Sequence, residues 1–127
     1  MQQNQLFEYA VIRIVPKVER EEFLNVGVIL YCAKQYFLHA KCYWNEERLG
    51  VVCAGSDKQE ILQNLDAIER ICEGGSEAGP IGKLDIAGRF RWLTATRSTV
   101  VQTSKVHPGF CIDPSETLDR LYLQLVL

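Results

Sequence analysis

The chain holds 127 residues, 47% of them hydrophobic and 24% charged, which fits one globular domain spanning 1–127 and is too apolar for a disordered polymer. Its formal net charge of −2 gives no global attraction to nucleic acid or to an anionic membrane. No apolar run approaches the ~20 residues of a membrane helix, and the opening Met1 to Leu6 lacks the basic and apolar regions of a signal peptide. A cytoplasmic location with no membrane contact is therefore expected.

Leu6 to Val15, LFEYAVIRIV, is rich in β-branched and aromatic residues with a period-2 component, which predicts a strand. Phe7, Tyr9, Val11, Arg13 and Val15 share one face. Both faces are largely apolar, as in a central strand, and Pro16 ends it. Lys17 to Phe23 is a charged connection. Leu24 to Ala33 and Tyr36 to Tyr43 are the second and third strands, and the short Lys34-Gln35 link makes them an antiparallel hairpin. Asn45, Glu46 and Glu47 resemble a short helix start.

Ser56 to Glu73 carries the clearest helix pattern. Ser56 and Gln59 form a capping box, and Ile61, Leu62, Leu65, Ile68, Ile71 and Cys72 recur at helical spacing. Gly74-Gly75 stops the helix, and 74–82 reads as a loop. Leu84 to Leu93 holds an optional short helix, and Ser98 to Thr103 a fourth strand. Ser104 to Cys111 is expected to be a loop bending at His107-Pro108-Gly109. Asp113, Pro114 and Glu116 then occupy N-cap, N1 and N3 of a final helix. Leu118, Leu121, Tyr122 and Leu125 line one of its faces. The order is βββα(α)βα. It predicts an α+β fold: a four-stranded, mainly antiparallel sheet with two or three helices packed on one face.

Cys32, Cys42, Cys53, Cys72 and Cys111 are odd in number and show no Cys-x-x-Cys pair. Reduced thiols are expected, with no metal site, since His39 and His107 lie far from any paired cysteines. No phosphate loop, dinucleotide fingerprint, zinc-protease motif or nucleophile elbow is present. No cofactor is implied and no catalytic residue is assigned.

Four features remain. Arg13 lies in an apolar strand and needs a partner, either a structural acid or a bound anion. Asn25 stands before Gly27, where a strand glycine marks a bulge, and its side chain can bond local backbone. From Lys83 to Lys105 run Lys83, Arg89, Arg91, Arg97 and Lys105 against the one acid Asp85. The preceding stretch from Asp57 to Glu77 carries six acids and two bases. Either Arg89, Arg91, Trp92, Arg97 and Ser98 form a ligand, nucleic-acid or protein surface, or Phe90, Trp92 and Leu93 are core anchors and the arginines pair with the acidic helix. Finally, Ser104-x-x-His107 offers a hydroxyl and an imidazole, but catalysis needs further groups placed around them.

Tyr9 to Arg13, Glu22 to Val28, Arg89 to Leu93 with Arg97-Ser98, and His107-Pro108-Gly109 before a capped helix occur in that order over nearly the whole chain. The set resembles the bacterial family called domain of unknown function 3037. Thr96 departs from the proline expected of relatives, which touches only the turn before Arg97. The family implies no reaction; the resemblance implies an accessory protein encoded beside a HipA-like kinase. The leading expectation is therefore a non-enzymatic binding or regulatory module acting through a protein partner, with a HipA-like kinase as candidate. The alternative is a phosphate- or nucleotide-binding enzyme with an Arg/Ser/His pocket built from Arg13, Arg97, Ser98 and His107. A weaker third reading is single-stranded nucleic acid held by Arg89, Arg91 and Trp92.

Overall fold

A computed structural model of the chain describes residues 4–15, 23–43, 47, 58–75, 78–95 and 100–127. Strands β1 (Gln5–Ile14), β2 (Leu24–Cys32) and β3 (Phe37–Cys42) are followed by helices α1 (Lys58–Glu73) and α2 (Ile86–Leu93). Strands β4 (Val101–Thr103) and β5 (His107–Cys111) and helix α3 (Pro114–Leu125) complete the order βββααββα. Among the described residues every strand pairing is antiparallel. Asn45, Glu46 and Ser56 lie outside the described residues, and so do the first two positions of the short helix start, whose Glu47 is helical, and half of the capping box.

β1 is central. β2 pairs along one edge, and the other edge is shared: β4 lies against Ile12–Ile14 and β5 against Gln5–Tyr9. The expected loop over 104–111 is thus a second strand segment. Two features hid it. Pro108 lacks a ladder donor, yet an edge strand tolerates proline. Gly109 weakens strand propensity, but a Cβ there would stand 2.5 Å from Phe7 Cζ, so the glycine makes room for the Phe7 ring across the ladder. Between β4 and β5 the ladder is broken and Ser104 mends it. Its N–H donates to Val11 O at 2.8 Å; its hydroxyl accepts from Val11 N–H at 2.9 Å and donates to Lys105 O at 2.9 Å.

The helices cover both faces of the sheet rather than one. On β2, Val28, Leu30 and Cys32 belong to one apolar cluster, with Leu118, Tyr122 and Val126 at α3. The alternate residues Ile29 and Tyr31 join Ile61, Leu65 and Ile71 of α1 and Phe90 and Leu93 of α2. Side chains alternate across a strand, so the two clusters lie on opposite faces. The cause is visible in β1 and β2 themselves: strands apolar on both sides need a layer on each.

The helix ends follow capping chemistry. Asp85 accepts from Gly88 N–H at 2.7 Å and Asp113 from Ser115 N–H at 3.0 Å, satisfying donors that have no partner within the helix. At the C-terminus of α1 the cap is a side chain. Arg89 Nη1 donates to Ile71 O at 2.9 Å and Cys72 O at 2.8 Å, and its Nε to Leu84 O at 3.1 Å. Gly74, at φ 80°, admits this approach, because a Cβ there would lie 2.5 Å from Arg89 Nη1.

Candidate binding face around Arg13

The α3 side of β1 carries Phe7, Tyr9, Val11 and Arg13 in a column. Arg13 stands opposite Asn25 of β2 and opposite Gln102 of β4. The β1–β2 register slips between Ile12 and Arg13, since Ile12 faces Gly27 while Arg13 faces Asn25. Val26 is therefore the extra residue of a bulge, as Gly27 suggested, and the bulge places the Asn25 side chain beside Arg13. Asn25 does not bond locally. Its Nδ2 donates to Leu125 O at 3.1 Å, tying the end of α3 to the sheet across 100 positions of sequence.

Arg13 is half-buried. Its guanidinium lies 4.1 Å from the centroid of the exposed Phe23 ring, a cation–π contact. Its Nε is buried without an acceptor, and so is Asn25 Oδ1 without a donor. Among the described residues no carboxylate pairs with Arg13; Glu8 faces the other side and binds Arg91 instead.

The other candidates disperse. Arg89 is buried in the α1 cap, so it braces the acidic helix through that helix's terminal carbonyls and not through its acids. Arg91 is exposed and pairs with Glu8 at 2.8 Å. Trp92, 40% exposed, borders a cavity of about 220 Å³ with Asn64, Ile68, Leu93 and Val101 on the α1 side of the sheet. His107 shares the Arg13 face, its ring 5.3 Å from that of Tyr9. Tyr9 and Arg13 are four residues apart on β1, however, or about 13 Å of strand. Ser104 spends its hydroxyl on the ladder break. Arg97 and Ser98 lie outside the described residues. Phe23 and Gln102, which flank Arg13, carry no motif that singles them out in the sequence.

The described cysteines Cys32, Cys42, Cys72 and Cys111 are free thiols. Burial pushes the Cys72 thiol up to about 12, against the opposing pull of the Arg89 charge. Burial also raises Cys42, with Glu69 adding to it. Such thiols are protonated at neutral pH and are poor nucleophiles. Among the described residues no group of three or more His, Cys, Asp or Glu could hold a metal ion, and no helix is long and apolar enough to cross a membrane.

The architecture defines an α+β protein with an antiparallel sheet layered by helices on both faces and, among the described residues, an arginine without an acid at one end. Residues 9–126 match the family described as Protein of unknown function (DUF3037), and the chain belongs to that family. The match spans every strand and helix of the fold except the first residues of β1. No curated protein and no solved structure matches the chain.

Proposed function

We propose that this protein is a non-enzymatic binding module that works through a protein partner docking on the sheet face around Arg13. The observation that carries the reading is the Arg13 guanidinium itself: partly desolvated, stacked under an exposed Phe23 and without an acid among the described residues. Taking a guanidinium partly out of water without an opposite charge is unfavourable, and a partner that completes its hydrogen bonds recovers part of that cost on binding. An enzyme built on the same residues is less well supported. Arg13 and His107 stand about 13 Å apart along the strand, a wide span for one phosphate, and the other two members of that pocket, Arg97 and Ser98, lie outside the described residues. The free thiols support a reducing compartment, a bacterial cytoplasm in this reading.

The test is a pull-down from the native host, with neighbouring gene products, including a HipA-like kinase, as candidate partners. Wild type and Arg13→Met are compared. Loss of a partner by the variant at unchanged melting temperature supports the docking face. Equal capture by both proteins refutes it.

A further inference from the structure

We propose that β5 is the contact strand of a homodimer: two copies of this chain pair antiparallel along β5, about a two-fold axis beside Phe110, and join their sheets into one. This surface is separate from the one around Arg13. Its β1 member, Leu6, points to the other face of the sheet and lies about 23 Å away along the strand.

The parity of the ladder shows which groups β5 offers. Val11 O accepts from Ser104 N–H, so Val11 turns its main chain towards the β4–β5 edge. Along a regular antiparallel strand this direction alternates. Tyr9, Phe7 and Gln5 therefore turn the same way and bond with His107, Gly109 and Cys111 opposite them. Pro108 and Phe110, the residues between, turn their main chains outward. Among the described residues no strand lies beyond β5, so the edge presents Phe110 N–H, Phe110 C=O and Pro108 C=O to solvent. Its side chains are exposed and apolar: Phe110 at 70%, Leu6 directly across the ladder at 52% and Ile112 at 47%. β5 carries no Lys, Arg, Asp or Glu, the residues that guard edge strands against pairing. The helices pack mainly on β2 and β3 and leave this side of the sheet uncovered.

The hydrogen-bond pattern selects a second copy over a foreign strand. With Phe110 opposite Phe110 of the partner subunit, each donates its N–H to the other's carbonyl. Ile112 then faces the partner subunit's Pro108. Its N–H donates to the Pro108 carbonyl, whereas Pro108 has no N–H to return. The acceptor left over is Ile112 O, and Gln35 Nε2 already donates to it at 2.8 Å. A foreign strand would instead set an unserved carbonyl of its own against Pro108. The two Phe110 residues stand as a hydrogen-bonded pair with Cα atoms roughly 5.5 Å apart. Their rings and the flanking Leu6 side chains form one apolar row across the joined sheet. The contact is isologous and therefore closes at two copies.

The experiment follows the full chain by sedimentation velocity from micromolar to millimolar concentration. Wild type is expected to pass reversibly from monomer to dimer. Phe110→Lys sets like charges directly opposite each other at the axis and removes the ring, and should raise the dimer Kd at least ~10-fold. Its melting temperature measured on dilute monomer should match wild type, because Phe110 is exposed. Hydrogen exchange on wild type supplies a second readout that needs no variant. The Phe110 amide should slow as concentration rises, while exposed amides remote from β5 do not. A wild type that stays monomeric throughout overturns the proposal. So does a dimer that Phe110→Lys leaves intact, or one that forms without slowing exchange at Phe110, since either places the contact elsewhere on the surface. Should Phe110→Lys fail to fold, sedimentation and exchange on wild type decide.

Discussion

Replacing Arg89 by alanine is the sharpest perturbation of the fold. Its guanidinium donates to three main-chain carbonyls, Ile71, Cys72 and Leu84, and the residue is 7% exposed. Hydrogen bonds to a charged group contribute about 1.5–3 kcal/mol each, and an orphaned buried acceptor costs about 1–3 kcal/mol. Water entering the space left by the side chain recovers part of this. The expected loss is therefore ~3–5 kcal/mol, which for a chain of this length lowers Tm by roughly 10–20 °C. Arg89→Lys should lose about half as much: its ammonium favours the same helix end but cannot fork to carbonyls on both sides. Urea unfolding gives the free energies, and amide exchange at residues 70–75 shows whether the end of α1 frays first. An alanine variant within ~1 kcal/mol of wild type would refute the capping argument.

Other perturbations have smaller or more local outcomes. Ser104→Ala removes the acceptor of the buried Val11 N–H and should cost ~1–3 kcal/mol by urea unfolding. Gly109→Ala forces a Cβ against Phe7 and should cost ~1–3 kcal/mol, with the loss reduced when Phe7→Leu is added. Arg91→Gln breaks an ion pair whose arginine side chain is 58% exposed, so stability should change by no more than ~1 kcal/mol and less still in high salt. The Cys72 thiol, raised from its ordinary 9.0 to about 12 by burial, keeps its proton longer when folded than when unfolded. Its contribution is complete below pH ~9 and falls as pH rises towards 12, by about 1.4 kcal/mol per pH unit. Cys72→Ala should flatten that alkaline decline in urea titrations taken at pH 8, 9 and 10.

Local chemistry was readable along the chain. The β-branched run of β1, the short link from β2 to β3, the helical periodicity of Ile61, Leu65 and Ile71, and the Asp113-Pro114 start of α3 each depend on residues a few positions apart. Those interactions are written in consecutive sequence, so the fold class and most element positions follow from it. Gly27 announced its bulge for the same reason. β5 was hidden because Pro108 and Gly109 both weaken strand propensity, and only the edge position and the Phe7 ring reverse that preference.

The candidate site was legible only in part. The sequence marked Arg13 as a charge in need of a partner and Asn25 as a residue beside a bulge, yet gave no sign that they face each other. That pairing depends on the β1–β2 register, which the bulge shifts and which the sequence of two strands separated by nine residues does not specify. The basic run from Arg89 to Trp92 looked like one surface in sequence. On α2, with about 100° between successive residues, its members diverge: Arg89 turns into the core, Arg91 reaches Glu8 and Trp92 borders a cavity. Sequence spacing thus determined which residue types and elements exist. Strand register and helix rotation, set by burying both faces of the sheet, decided which side chains meet.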